Sequence, residues 1–352
     1  MEKLKIGILG ATGLVGQHFV SLLANHPYFQ IDFLSASNNS KGKTYKNIVN
    51  WRLKEKLPEN IKNIELIDTK LDSIIDREAK IIFSALPSNI QTNIERELRA
   101  NNECIFSNSS INRMDNEIPI IVTEVNNEHF ELAKIQKGKY GGFIVTNPNC
   151  VVSGFSLVLK PLNRFNIKSI AVSTYQAISG AGINGISAFD INSNAIPYIK
   201  NEEEKIENET IKILSRLDKS TLKVPSFSIM ANCCRIGVLV GHLESIILEL
   251  EKEVSVEEIK EALISFTSEA QKLNLPTAPK HSIIVSDKID RPQPILDSYL
   301  PETGVSGMSV VVGKIRKKEN KISLFLLVNN LIRGAAGQSI LNSEYAFKKF
   351  FI

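Results

Sequence analysis

The sequence predicts an α/β protein in two parts, an N-terminal parallel-sheet domain followed by an α+β domain built on a mixed sheet. Three observations carry that reading. Strand-like and helix-like segments alternate as far as position 149, the pattern from which parallel sheets arise. A glycine-rich run, Gly10-Ala11-Thr12-Gly13-Leu14-Val15-Gly16, follows the first strand directly. After Cys150, apolar strand-like runs succeed one another with fewer helical patterns between them.

In chain order, strands are expected at 3–9, 31–36, 64–67, 81–85, 103–108 and 143–146, with a helix over 89–99 after the turn at Leu86-Pro87-Ser88. Glycines spaced by three across the first strand-to-helix turn let the backbone approach a pyrophosphate. The helix start then supplies N–H donors and a favourable dipole. Because this triplet sits between a strand and an apolar helix, it reads as a Rossmann-type dinucleotide site rather than a merely tight turn. Gly10, Thr12, Gly13, Leu14 and Val15 are its expected contacts. The second strand ends in Ser35-Ala36-Ser37-Asn38-Asn39-Ser40-Lys41-Gly42-Lys43, without the carboxylate that bonds an NAD ribose. Hydroxyls and lysines suit a 2′-phosphate instead, so NADP is the expected cofactor, through Ser35, Ser37, Ser40 and Lys41.

Thr146-Asn147-Pro148-Asn149-Cys150 leads into the apolar run 151–159. Asn and Pro supply a turn and a cap, and the run has helical spacing. That places a thiol at a helix N-terminus, where unpaired N–H groups and the dipole favour the thiolate. From this stretch alone the residue is either a nucleophile or a buried structural cysteine.

In the second half, strands are expected at 169–175, 235–242, 245–250, 308–314 and 322–328, helices at 201–217 and 256–272, and a final helix at 335–351 after a glycine-rich turn. The segment 174–182 ends a strand in small residues, which allow a close backbone approach. Arg235 and His242 lie seven positions apart on one strand-like run. They would face opposite sides of an ideal strand unless Gly237 or Gly241 bends it. Among five histidines, His242 alone sits in an apolar run; His18, His26 and His129 lie on polar, helix-like segments. Glu202-Glu203-Glu204-Lys205 reads as a solvated helix start, and the vicinal Cys233 and Cys234 read as packing residues.

At 352 residues the chain is long enough for two cores. With a net charge of +4 and charges dispersed apart from the lysines of 35–43 and the run Arg316-Lys317-Lys318, no nucleic-acid footprint stands out. No stretch reaches membrane-spanning length, no signal peptide precedes the first strand, and no metal is expected. Four cysteines make no disulfide framework, and thiol chemistry needs a reducing compartment, so the cytoplasm is expected. The long apolar sheet of the second half, with few helices to cover it, invites a partner subunit.

Together these motifs resemble the aspartate-semialdehyde dehydrogenase family, in its archaeal and fungal branch, over essentially the whole chain and in the same order. The match rests on the glycine turn, Ser84-Ala85-Leu86-Pro87, Ser107-Asn108-Ser109-Ser110 with Arg113-Met114-Asp115, and Val122-Thr123-Glu124-Val125-Asn126. It continues through Asn147–Cys150, Tyr175–Gly182, Glu202–Lys205, Arg235–His242 and Arg333-Gly334-Ala335-Ala336-Gly337. The resemblance implies an NADP-binding domain at 1–149, completed by the C-terminal helix 335–352, and a catalytic and dimerisation domain at 150–334. It implies Cys150 as nucleophile, His242 as acid/base and Gln176 as a substrate-orienting residue. Arg235 would hold the α-carboxylate, Glu202 the amino end, and Arg113 and Lys205 the phosphate, with Asn108 beside them. Further cofactor contacts would be Ser84, Leu86, Pro87, Ser179, Gly180, Gly182, Asn330 and Gly334.

The implied reaction reduces L-aspartyl-4-phosphate through a Cys150 thioester, with backbone N–H groups near Cys150 as oxyanion donors and a homodimer or homotetramer as the assembly. Malonyl- or succinyl-CoA reductases share the closing segments 275–279 and 307–313, but Asn-Pro-Asn-Cys favours the aspartyl enzyme. N-acetyl-glutamyl-phosphate reductase is a more distant relative. A catalytically silent dinucleotide-binding protein is the non-enzyme alternative, and intact Cys150, Gln176, Arg235 and His242 speak against it. The pair Cys233-Cys234 departs from the family pattern, which has one cysteine or threonine there.

Overall fold

The computed structural model describes residues 2–87, 94–301 and 304–350, which fall into two compact units. The first comprises residues 2–121, 128–147 and 335–350; the second comprises 122–127 and 148–334.

In the first unit six strands, β1 Leu4–Leu9, β2 Phe29–Ala36, β3 Leu66–Asp68, β4 Ile81–Ser84, β5 Cys104–Ser107 and β6 Phe143–Thr146, form one sheet. Its order is β3-β2-β1-β4-β5-β6 and every pairing is parallel. This is the doubly wound order, whose switch point lies between β1 and β4. The strands are buried on both faces, which explains their near-continuous apolar sequences. The helix expected at 89–99 is seen as Ile94–Ala100; the positions before it lie outside the described residues.

Among the described residues of the second unit, nine further strands occur: β7 Ile167–Gln176, β8 Ala195–Ile196, β9 Arg216–Asp218, β10 Thr221–Lys223, β11 Ser228–Ile236, β12 His242–Leu250, β13 Ile283–Ser286, β14 Val310–Lys318 and β15 Lys321–Val328. Seven of them make a mixed sheet of order β13-β14-β15-β12-β7-β11-β8, and β9 and β10 pair separately. Strand β11 runs parallel to β7, and β12 runs antiparallel to it. Burial alternates along β12, with His242, Glu244, Ile246, Leu248 and Leu250 on the covered face. The helices Cys150–Leu162 and Val256–Ile264 pack on the sheet. On the other face Tyr175, Met230 and Ile247 are exposed.

Three local expectations change. The run 235–242 is not one strand: β11 ends at Ile236 and β12 begins at His242, with Gly241 at φ +98° in the turn between. The helix expected at 256–272 is two, Val256–Ile264 and Glu269–Lys272, because Ser268 and Gln271 form a second capping box that restarts the chain. The helix expected at 201–217 spans Glu202–Leu214 and gives way to β9. His18, His26 and His129, on the segments read as polar and helix-like, are buried, with His26 Nε2 at 2.7 Å from Glu344 Oε1.

Candidate active site

Helix Cys150–Leu162 begins at the cysteine itself. Asn149 is its cap, and Asn149 Oδ1 accepts the Val151 N–H at 2.9 Å. Asn149 is held in turn by two buried carboxylates of the helix Glu202–Leu214. Its side-chain amide donates to Glu202 Oε1 at 2.8 Å, and its backbone N–H donates to Glu209 Oε2 at 2.5 Å. Glu202 is therefore not a solvated surface residue; the helix turns it inward, with Lys205 Nζ 3.4 Å from its other oxygen. Glu209, seven positions on, escaped the sequence reading although it lies on the same helix face.

Of the backbone N–H groups flanking Cys150, that of Asn149 serves Glu209 and that of Val151 serves Asn149.

Facing the cysteine is a row of polar side chains drawn from three strands. Arg235 on β11 pairs in register with Gln176 on β7. One residue before Gln176, Tyr175 is paired with Leu243, so Gln176 and His242 share the next row. Arg235 and His242 thus face the same side because they lie on two different strands flanking β7; no bulge is needed. His242 Nε2 lies 3.1 Å from Cys150 Sγ. Arg235 Nη1 donates to the Ala177 carbonyl at 2.8 Å, and Gln176 Nε2 donates to Thr174 Oγ1 at 3.2 Å. Gly180 roofs the row: a Cβ there would come within 2.7 Å of Arg235 Nη1 and 3.4 Å of His242 Nε2.

Below this row lies a second one, Cys233, Thr174 and Glu244, fully buried. Burial pushes the Cys233 thiol up to about 12, which disfavours its thiolate. Burial likewise raises the Glu244 carboxyl well above its usual range.

Gly334 packs directly on Cys150, where an added Cβ would meet Cys150 Cβ at 2.8 Å. The Gly334 segment is held by its neighbour Arg333, buried in an ion pair with Glu124 and donating through Nε to the Met308 carbonyl at 2.6 Å. Burial alone would raise the Glu124 carboxyl, but the Arg333 charge and hydrogen bonds hold it below its usual value. Asn330 donates to Ser179 Oγ at 2.9 Å and accepts the Gly241 N–H at 3.0 Å, tying together two loops that the sequence reading assigned to the cofactor and to the strand turn.

In the first unit, Gly10 takes φ +73°, and a Cβ there would sit 2.8 Å from the Ala85 carbonyl oxygen. The turn is thus shaped at the β1–β4 switch point for backbone approach, with Gly13 capping the helix Leu14–Leu23 that carries Leu14 and Val15. Ser84 ends β4, with Leu86 and Pro87 just beyond. These features fit a dinucleotide pyrophosphate. Ser35 is buried with its hydroxyl 2.9 Å from Thr69 Oγ1, which leaves Ser37 and Ser40 as the hydroxyls beyond the strand end. Lys41 is half-exposed and paired with Asp68 at 3.1 Å. Arg113 Nη2 donates to the Asn108 carbonyl at 2.9 Å. The Asn108 side chain bonds Ser84 O, Ser339 Oγ and Asn147 Nδ2, so it braces this loop.

A model of the semialdehyde dehydrogenase NAD-binding domain matches residues 5–133, and one of the semialdehyde dehydrogenase dimerisation domain matches residues 159–333. The aspartate-semialdehyde dehydrogenase of Methanothermobacter thermautotrophicus is 40% identical over 345 residues, 96% of this chain and 97% of that protein. That of Archaeoglobus fulgidus is 41% identical over 350 residues, 99% of each, and that of Aspergillus fumigatus 38% identical over 364, again 99% of each. The crystal structure of the Candida albicans enzyme with NADP superposes with a TM-score of 0.89 at 36% identity, covering all of both chains.

Proposed function

The chain belongs to the aspartate-semialdehyde dehydrogenase family, and we propose that Cys150 and His242, 3.1 Å apart, carry its chemistry. The protein is an NADP-dependent aspartate-semialdehyde dehydrogenase, which reductively dephosphorylates L-aspartyl-4-phosphate to L-aspartate-4-semialdehyde on the route to lysine, threonine and methionine.

Cys150 attacks the acyl carbon and forms a thioester as phosphate leaves. Bound NADPH supplies the hydride that reduces the thioester carbonyl. Arg235, planar and fixed by Ala177, suits the α-carboxylate, and Gln176 beside it orients the acyl group. Glu202 binds the amino end, and Arg113 and Lys205 take the phosphate. Gly10, Thr12, Gly13, Leu14 and Val15 with Ser84, Leu86 and Pro87 hold the cofactor, and Ser37, Ser40 and Lys41 select its 2′-phosphate. The observation that carries these roles is the placement of Cys150 at a capped helix start facing His242, Gln176 and Arg235.

The exposed Tyr175, Met230 and Ile247 on the open sheet face support a homodimer as the smallest assembly. No helix among the described residues is long and apolar enough to cross a membrane. The four free thiols suit a reducing cytoplasm.

The test is Cys150→Ser, assayed at the nicotinamide band with aspartate semialdehyde, phosphate and NADP beside malonyl-CoA and N-acetyl-glutamate semialdehyde. The variant is expected to bind NADP and lose nearly all turnover, and the wild-type protein to prefer the aspartyl substrate. Inactivation by iodoacetamide at Cys233 with Cys150 unmodified would refute the assignment.

A further inference from the structure

The glycine turn of the first unit is held by two side chains that the cofactor reading did not include. The Tyr45 hydroxyl donates to the Ala11 carbonyl at 2.8 Å, and Gln17 Nε2 donates to the Thr12 carbonyl at 3.0 Å. Both side chains are fully buried. We propose that Tyr45 and Gln17 are positioning residues for the cofactor, fixing two successive peptide planes of this turn so that the Thr12 N–H and the helix start face the pyrophosphate. The inference rests on the reading that NADP lies against the turn, and it adds two residues that act through the turn's backbone.

A trans peptide carries its carbonyl and its N–H on opposite edges of one plane. Fixing the Ala11 carbonyl at Tyr45 therefore points the Thr12 N–H the other way. Fixing the Thr12 carbonyl at Gln17 directs the Gly13 N–H in the same manner, and that group is found on the Gly10 carbonyl at 3.1 Å. The Ala11 N–H is taken up by the Ser35 carbonyl at 3.0 Å, at the end of β2. Ala11 and Gly16 are buried, whereas positions 12–15 between them are half-exposed. The ligand side of the turn is thus Thr12 with the first N–H groups of the helix Leu14–Leu23.

Such a turn needs holding. Glycines at 10 and 13 widen the backbone's choice of conformation, and a carbonyl swung toward the pyrophosphate would repel it. The two donors are themselves braced. The Tyr45 N–H donates to the Ile64 carbonyl at 2.8 Å, and the Leu66 N–H to the Lys43 carbonyl at 2.9 Å, so the phenol comes from a segment tied to the start of β3. Burial pushes that phenol well above its usual value, which keeps its hydroxyl a donor. Gln17 Nε2 donates also to the Asn50 carbonyl at 3.0 Å, and its Oε1 accepts the Arg52 N–H at 2.8 Å, which sets the orientation of the amide. A turn arranged in this way before the ligand arrives loses less conformational freedom on binding.

The test compares Tyr45→Phe and Gln17→Met with wild type in the full chain. Tyr45→Phe deletes one hydroxyl and keeps the buried ring; Gln17→Met keeps the length of the side chain and removes its amide. Dissociation constants for NADP, NAD and adenosine 2′-monophosphate are read by displacement of NADPH fluorescence. The first two ligands carry the pyrophosphate and the third carries only the 2′-phosphate. In each variant NADP and NAD are expected to weaken together by about 3- to 10-fold, the loss of one net hydrogen bond, with adenosine 2′-monophosphate unchanged. The KM for NADP rises by the same factor at unaltered kcat, the signature of lost uniform binding. Equal losses for all three ligands would make the two residues mere supports of the whole domain, and unchanged NADP and NAD affinities would leave them no part in binding; either result overturns the proposal. So does a loss confined to NADP, which would place Tyr45 with the 2′-phosphate loop. Wild-type protein that binds no NADP would instead sink the cofactor reading itself.

Discussion

The backbone N–H of Asn149 donates to the Glu209 carboxylate at 2.5 Å, so the cap of the reactive helix is anchored to a neighbouring helix sixty residues away in sequence. Glu209→Ala leaves that buried N–H without its acceptor, at a cost of about 1–3 kcal/mol. Urea denaturation is expected to show a lower midpoint at unchanged slope, with kcat reduced as Cys150 loses its placement. Unaltered stability would assign the anchoring to Glu202 alone.

Gly334 admits no side chain, because an added Cβ meets Cys150 Cβ at 2.8 Å and its carbonyl oxygen at 2.9 Å. Gly334→Ala must push Cys150 aside, and displacement of a reacting group by about 1 Å costs on the order of 100-fold in rate. The expected pattern is a large fall in kcat with little change in NADP affinity. The reverse pattern would make Gly334 chiefly a cofactor contact.

Beyond the end of β2, Ser37 and Ser40 stand 3.4 Å apart, and Lys41 pairs with Asp68. Replacing Ser37, Ser40 and Lys41 together by alanine is expected to weaken NADP binding by about 10- to 100-fold and leave NAD nearly unaffected, as read by calorimetry. Asp68→Asn, which frees Lys41, is expected to tighten NADP. Equal losses for both cofactors would move 2′-phosphate selection elsewhere.

Glu244 makes stability depend on pH. Its folded carboxyl titrates well above the unfolded value because burial penalises the charge. Its contribution is therefore complete below the unfolded carboxylate range and is lost as pH rises from there toward the folded pKa, by about 1.4 kcal/mol per pH unit. Glu244→Gln removes this dependence and is expected to be more stable than wild type at neutral pH. Melting curves at acidic and neutral pH check it; a wild-type stability that rises over that span would contradict the sign.

Much of this protein is legible in its sequence because the signals are local. The β1 turn, the Asn149 cap and the alternation of strand and helix each depend on residues within a few positions of one another, so the parallel sheet and the cysteine at a helix start follow from the chain alone. The run 235–242 misled for the same reason: its apolar pattern is strand-like throughout, and only the pairing of both ends with β7 shows that it turns. The carboxylates Glu202 and Glu209 were hidden because acidic residues on a charged helix look solvated until the helix meets its neighbour.

The sequence by itself determined the fold class, the family resemblance and the placement of Cys150 at a helix start, since hydrophobic period, glycine turns and helix caps act over short range. Tertiary structure alone decided that Arg235, Gln176 and His242 form one row and that Asn149 is held by two buried carboxylates. Those outcomes rest on strand register and on hydrogen bonds between residues tens of positions apart, whose geometry exists only once the sheet has closed around them.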